Sequence, residues 1–211
     1  MIYTYLAEYF KNVTNLCIVE VGAHIGTDTI KLAKYAGNGK LICFEPDPRN
    51  IEELRTLQET VKFDLVEKAV GTEIGEIDFY QSFGRKPGVP REITDFSSIK
   101  FPIGVMKRHP WSSFKVIPVI STTLDHYCAL HDILNIDLLW VDIQGGELDL
   151  ILGAYEALSR TKLFYFECMP DGTDLYKDQP TLTKIIDALP DWRKWFMEFH
   201  TETDVLLRRI A

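Results

Sequence analysis

Short apolar runs alternate with segments of helical periodicity through most of the chain. LCIVEVG at 16–22 has the length and branched side chains of a buried strand, and a helical pattern follows it. KLICFE at 40–45 reads as a second strand, and a helix is predicted to begin at Asp47 and Pro48. Two strand–helix units in succession predict a parallel sheet and therefore an α/β fold.

The second half continues this alternation. IDLLWVD at 136–142 predicts a buried strand, and the helix after it is expected to cover the sheet. Its apolar stripe comprises Leu148, Ile151, Leu152, Tyr155 and Leu158. KLFYFEC at 162–168 predicts another buried strand. Two apolar runs separated by TET at 201–203 predict a C-terminal antiparallel hairpin, so that the sheet is doubly wound and mostly parallel.

The middle of the chain is less regular. KFDLVEKAVG at 62–71 predicts a third strand, and GEIDFYQS at 75–82 alternates as a half-exposed antiparallel strand would. Residues 84–115 contain four prolines and no sustained period. Long irregular connections commonly form lids or binding loops. We therefore expect one domain over residues 1–211, with this segment as an insertion.

Composition narrows the class of protein. The chain has 211 residues, 46% of them hydrophobic, and four cysteines without paired CxxC spacing, so a structural zinc site is not expected. No apolar stretch approaches the roughly 20 residues of a membrane span, and the first residues lack the features of a secretion signal. We expect a cytoplasmic protein with no membrane partner.

The net charge of −8 argues against a general nucleic-acid binder. Charge is uneven, however, because seven basic and two acidic residues give residues 85–115 a charge of +5. The basic residues are Arg85, Lys86, Arg91, Lys100, Lys107, Arg108 and Lys115. Our hypothesis is a lid that admits a polar or anionic acceptor, and the alternative is a solvated loop that offsets nearby acidic charge.

The first strand-to-helix turn, EVGAHIGT, is the main candidate for ligand binding. Gly22 and Gly26 permit a sharp bend and close approach of a ligand, but the spacing differs from the dinucleotide fingerprint. Glu20 favours a cationic group, and Glu45, at the end of the second strand, is placed to accept hydrogen bonds from ribose hydroxyls. A positively charged nucleoside without phosphate, S-adenosylmethionine, fits these residues. His24 is a further candidate contact to the cofactor.

Six motifs follow in order the pattern of FkbM-type methyltransferases, which the sequence therefore resembles over most of residues 16–168. They are VEVGAHIGTDTIKLAK, ICFEPDPRNIEEL, VEKAVGTEIGEIDFY, FSSI, TTLDHY and WVDIQGGELDLILGA. The resemblance implies a class I methyltransferase (Rossmann-like) fold, S-adenosylmethionine as methyl donor, and a hydroxyl oxygen as acceptor. The expected acceptor is a sugar, a glycan or another small metabolite. The resemblance also supports a position for Glu67 and Lys68 on the adenine side of the cofactor.

The motif VDIQGGE departs from the family pattern, which more often reads K-I-D-V-E-G-x-E. Trp140 or Val141 replaces a lysine, and Gln144 replaces a glutamate. The carboxylates that remain as candidate catalytic bases are Asp142, Glu147 and Glu167. For Asp142 the alternative is capping the next helix through the N–H groups near residues 145–146, and for Glu147 an ordinary helix-start role.

Other functions remain open at this stage. The basic segment is compatible with a protein or nucleic-acid methyltransferase. A Rossmann-like nucleotide-binding module without catalysis, or a nicotinamide enzyme, is the alternative from another class. No ligand spacing predicts a metal site, and the sequence leaves the oligomeric state undetermined.

Overall fold

Ten strands and eight α-helices make up the part of the chain described by the computed structural model, which is residues 2–86, 88–89 and 92–210. Arg91 of the basic segment lies outside these residues. The strands are β1 Cys17–Val21, β2 Lys40–Phe44, β3 Asp64–Val66, β4 Ala69–Val70, β5 Gly75–Gly84, β6 Ser112–Thr122, β7 Ile136–Val141, β8 Thr161–Glu167, β9 Trp195–His200 and β10 Asp204–Arg209. The helices are α1 Ile2–Tyr9, α2 Thr29–Ala36, α3 Pro48–Leu57, α4 Val105–Arg108, α5 Leu124–Leu130, α6 Glu147–Leu152, α7 Tyr155–Ser159 and α8 Leu182–Ala188, with a short 3-10 helix at Trp192–Lys194.

Seven strands form the main sheet in the order β3-β2-β1-β7-β8-β10-β9. The first five in this order are mutually parallel, and β10 is antiparallel to both β8 and β9. The predicted parallel sheet with a C-terminal antiparallel hairpin is confirmed. Strand order reverses between β1 and β7, and in open α/β sheets ligands bind at this point, beyond the carboxyl ends of the strands.

Helices cover both faces of this sheet because each central strand is apolar on both sides. Leu6, Leu32 and Leu54 bring α1, α2 and α3 onto one face. The opposite face packs against α5 to α8. Helix α3 begins as the sequence predicts, since Asp47 accepts the main-chain N–H of Arg49 at 3.0 Å and Pro48 occupies the first turn.

The third predicted strand is divided in the structure. Residues of β3 pair with β2 in the main sheet, whereas β4 pairs with β6 in a separate three-stranded sheet of order β4-β6-β5. Glu67 and Lys68 make the connection between the two sheets. The antiparallel pairing predicted for GEIDFYQS is confirmed, since β5 pairs with β6 over its whole length. Within the segment 84–115, the ends of these strands and α4 are regular.

The prediction of a single helix after β7 is wrong, because the chain forms two short helices, α6 and α7. Gly153 lies at the break, and a Cβ there would approach the carbonyl oxygen of Gly71 to 2.1 Å. The break rotates the two helices out of a common stripe. Leu152 and Tyr155 are consequently 62% and 56% exposed, although the periodicity predicted both to be buried.

Candidate active site

A cleft of about 240 Å³ lies at the carboxyl ends of β1, β2 and β7, where the strand order reverses. Gly22, Glu45 and Asp142, which follow these three strands, lie on its wall. The insertion supplies the opposite wall with Thr94, Asp95, Ser97 and Ile99. The cleft is therefore enclosed between the main sheet and the segment that the sequence marks as irregular.

The two glycines of the first turn have different neighbours. Gly22 has φ +89°, and a Cβ there would lie 1.9 Å from the carbonyl oxygen of Asp142. Gly26 has φ +87°, and its Cβ would lie 2.3 Å from Leu57 Cδ2 on α3. Gly22 lines the cleft, whereas close approach of α3 explains Gly26.

Glu20 lies beneath the turn and is not among the residues that line the cleft. Its Oε2 accepts hydrogen bonds from Thr29 Oγ1 at 2.6 Å and from Cys43 Sγ at 3.1 Å. Burial raises the pKa of Glu20 to about 8, so the group is mainly protonated at neutral pH. Its contacts connect β1 and β2 to the start of α2.

Glu45 is buried except for its contact with the cleft. Its Oε2 accepts the main-chain N–H of His24 at 2.8 Å, and its Oε1 accepts Asp47 N at 2.9 Å and Asn50 Nδ2 at 3.2 Å. Burial raises the pKa of Glu45 to about 7. Because a carboxylate oxygen can accept two hydrogen bonds, Oε2 retains capacity for a donor from the cleft.

His24 joins the first turn to the insertion. It adopts φ +52°, which is uncommon for a residue with a side chain. Its Nε2 lies 2.5 Å from Thr94 Oγ1 and 3.1 Å from Asp95 Oδ1. His24 also lines the cleft.

Glu67 and Lys68 are separated by the connection between the sheets. Lys68 is half-buried and lines the cleft. Glu67 is exposed, forms an ion pair with Arg55 at 2.6 Å, and borders a different groove beside β6. The structure therefore brings Lys68, but not Glu67, to the other predicted cofactor residues.

The three candidate catalytic carboxylates lie around the side chain of Gln144. Asp142 lines the cleft, and Glu147 and Glu167 line a small cavity of about 10 Å³ on the other side of Gln144. A cavity of that size holds at most about one water molecule. Gln144 Nε2 lies 2.8 Å from Asp142 Oδ1 and 3.2 Å from Glu167 Oε2.

The capping interaction considered for Asp142 is made by another residue. The main-chain N–H of Gly145 donates to Glu147 Oε1 at 3.2 Å. Glu147 is buried at the start of α6, and burial with repulsion from Asp142 raises its pKa to about 7. Burial is also the main cause of the raised pKa of Asp142, and it raises that of Glu167 to about 8.

Tyr176 and Asn50 are among the contributors to this site that sequence reasoning missed. Tyr176 is buried in the loop after β8 and donates from its hydroxyl to Gln144 Oε1 at 2.9 Å. Its neighbours, PDGTDLYKDQP, are polar and aperiodic, so no pattern distinguishes it from a surface tyrosine. Asn50, which donates to Glu45, has a weak signal in its position on the first turn of α3.

No group of three or more His, Cys, Asp or Glu side chains within the described residues is arranged to hold a metal ion. No helix in the same part of the chain is long and apolar enough to cross a membrane.

Comparison with known proteins gives consistent matches. A sequence profile of the methyltransferase FkbM domain matches residues 20–202. The 2-O-methyltransferase NoeI of Sinorhizobium fredii (strain NBRC 101917 / NGR234) is 33% identical over 195 residues, which cover 90% of this chain and 78% of that protein.

Two solved structures illustrate the fold. Magnesium protoporphyrin IX methyltransferase (ChlM) from Synechocystis PCC 6803 with bound SAH has a TM-score of 0.54 at 11% identity, covering 99% of this chain and 80% of that chain. An rRNA methylase from Streptococcus thermophilus has a TM-score of 0.54 at 12% identity, covering 100% and 95% respectively. The chain therefore has the class I methyltransferase fold.

Proposed function

The chain belongs to the FkbM methyltransferase family, and from this premise we propose that it transfers a methyl group from S-adenosylmethionine to a hydroxyl oxygen of a small acceptor, such as a sugar or glycan. The observation that carries the proposal is that Glu45 and Asp142 lie on the wall of one cleft at the reversal of strand order. The name of the related NoeI protein, a 2-O-methyltransferase, supports oxygen as the acceptor atom.

The residues on the cleft wall fit this cofactor. Glu45 Oε2 would accept a ribose hydroxyl, and Lys68, Val70 and Phe79, which also line the cleft, would lie beside the adenine. Within the described part of the chain, the cleft wall carries three acidic side chains, Glu45, Asp95 and Asp142, against one lysine, Lys68, and this acidic excess favours a cation. When bound, the cofactor supplies an electrophilic methyl group on a positively charged sulfur.

The chain's own residues then orient the acceptor and remove its proton. Asp142 is the candidate base because, of the three carboxylates, it lines the cleft. Glu147 and Glu167 lie beyond Gln144 and act on Asp142 through charge. A positioned base contributes on the order of 10² to 10⁴ in rate. Alignment of the reacting atoms can lower the activation barrier by about 7–11 kcal/mol more, as it does in well-oriented intramolecular reactions.

Calorimetric titration with S-adenosylhomocysteine and, separately, with NAD tests the cofactor. We expect saturable binding of S-adenosylhomocysteine and no heat from NAD, because the first turn lacks the glycine spacing that brings a pyrophosphate against the backbone. Binding of NAD without S-adenosylhomocysteine would contradict the proposal. A screen of hydroxylated acceptors with a methyl-labelled donor then identifies the substrate and the methylated atom.

The segment 84–115 is proposed as the lid on the acceptor side. Its residues 94–99 contribute to the cleft wall, and α4 carries Lys107 and Arg108, both exposed. The main-chain N–H groups of Gly104 and Val105 donate to Leu175 O at 2.8 and 3.2 Å, which places α4 beside Tyr176. The helix that carries these two charges is thus attached to the loop that supplies Tyr176 to the site.

Replacing Lys107 and Arg108 together by alanine should raise the KM for an anionic acceptor about three- to tenfold, because exposed charges attract through solvent. The increase should shrink at high salt. Initial rates with charged and neutral acceptors from the screen measure both effects, and Lys184→Ala on α8 is the control for loss of one exposed charge elsewhere. An unaltered KM with unaltered salt dependence would remove the lid from the proposal.

A further inference from the structure

Gln144 separates the main cleft from the small cavity and contributes to the walls of both. A primary amide carries two hydrogens on one nitrogen, so it can donate to two acceptors at once. Nε2 of Gln144 does so, at 2.8 Å from Asp142 Oδ1 and 3.2 Å from Glu167 Oε2. One side chain therefore connects the carboxyl groups at the ends of β7 and β8.

Tyr176 helps to determine which way the amide points. Its hydroxyl lies 2.9 Å from Gln144 Oε1 and 3.2 Å from the main-chain oxygen of Phe96. Burial and the nearby carboxylates raise the pKa of Tyr176 far above its ordinary value, so the phenol keeps its one proton, which it shares between these two oxygens with the shorter distance to Gln144. With Oε1 directed at Tyr176, the amide N–H groups face Asp142 and Glu167.

The backbone of Gln144 is held from both sides. Its φ of +55° is left-handed, and its carbonyl oxygen accepts a hydrogen bond from Ser98 Oγ at 2.8 Å. Gly145 follows at φ +91°, where a Cβ would lie 2.9 Å from Tyr176 Cβ. Close packing of Tyr176 on this turn fixes the point from which the glutamine side chain extends.

Asp142 and Glu167 are paired through this neutral group and not through a cation. Among residues 2–86, 88–89 and 92–210, no lysine or arginine forms an ion pair with either carboxylate. The other carboxylates that face the pair are Asp28, Asp95, Glu147 and Asp204. In such surroundings the pKa of both carboxyl groups is raised, because burial and the neighbouring negative charges make ionising both costly.

We infer that Gln144 is a positioning residue, whose amide links the carboxyl group of Asp142 on the cleft wall to that of Glu167 behind it, while Tyr176 helps to fix the direction of the amide. The inference rests on the proposed function for the task of the pair, which is to take up the acceptor proton. It also gives a physical reason for the departure at position 144. A glutamate there offers no N–H when ionised and adds a further negative charge.

Titration of the carboxyl groups by NMR tests the inference without an acceptor. In protein labelled with ¹³C at the Glu and Asp carboxyl carbons, Glu167→Gln identifies the Glu167 signal. Gln144→Met keeps the length of the side chain and removes the amide. We expect the apparent pKa of Glu167 to rise by about one pH unit, because the lost N–H groups favour the ionised form. Tyr176→Phe should shift it less, in the same direction.

Gln58→Met on the exposed end of α3 is the matched control, since it makes the same chemical change away from the pair. An unchanged Glu167 titration in both Gln144→Met and Tyr176→Phe overturns the inference, as does an equal shift in Gln58→Met. Amide ¹H–¹⁵N spectra report whether each variant is folded, and Tyr176→Phe provides the test if Gln144→Met is not. Failure of the wild type to bind S-adenosylhomocysteine is a separate result, which overturns the proposed function alone.

Discussion

Replacing Glu45 by alanine is expected to weaken S-adenosylhomocysteine binding roughly a hundredfold, because charge-assisted hydrogen bonds from a ribose are lost in a buried site. Glu45 also accepts hydrogen bonds from His24 N, Asp47 N and Asn50 Nδ2, so its removal loosens the turns after β1 and β2. Calorimetric titration of wild type and variant measures the change. Undiminished affinity would remove Glu45 from the proposed site.

Glu67→Ala is the matched control, since it deletes the same side chain outside the cleft. Its affinity for S-adenosylhomocysteine should equal that of the wild type.

The pKa of Glu45, about 7, predicts that cofactor binding depends on pH. Ribose donors bind the ionised carboxylate and lower its pKa, so affinity is full above pH 7 and falls as the pH drops through that value. Glu45→Gln should flatten this dependence between pH 6 and 8.

Gly22→Ala is expected to destabilise the fold by about 3 kcal/mol or more, since a left-handed φ and a steric clash both oppose the new methyl group. At φ +89° the Cβ would lie 1.9 Å from the carbonyl oxygen of Asp142, so β1 and β7 must move apart. The melting temperature should fall by roughly 6–12 °C in a chain of this size. Thermal and urea unfolding followed by circular dichroism measure the loss.

Gly172→Ala measures the cost of a left-handed backbone without a steric clash of the new methyl group. Gly172 has φ +81°, but no atom lies within 4 Å of its expected Cβ. This variant should lose only about 1–2 kcal/mol, which is the penalty for a left-handed residue. Equal losses at Gly22 and Gly172 would show that contact with Asp142 adds nothing to the requirement for glycine.

Local pattern was sufficient for the main sheet. Buried strands such as β1 and β7 are continuous apolar runs, and the helix start at Asp47 has its own capping chemistry. The hydrophobic pattern did not predict the break at Gly153, because its helical periodicity continues from α6 into α7. The carbonyl of Gly71, which is distant in sequence, leaves no room for a Cβ at the break.

The sequence likewise predicted some residues of the candidate site correctly and others wrongly. Position at a strand end predicted Glu45 and Asp142 in the cleft, since carboxyl ends of parallel strands meet at one edge of a sheet. The same reasoning grouped Glu67 with Lys68, although the turn between the two sheets directs them to different surfaces. Which side of a turn a residue faces depends on the element that packs against it.

By itself, the sequence determined the mostly parallel sheet, the glycine turn after β1 and the acidic residues at the strand ends, because these follow from local periodicity and turn chemistry. Tertiary structure alone decided the strand order, that Glu20 lies beneath the turn and that Glu147 and Glu167 lie beyond Gln144. It also placed Tyr176 against Gln144, 32 residues away in sequence. Burial and charge environment arise from such distant neighbours, so the protonation of these carboxylates is a property of the folded chain.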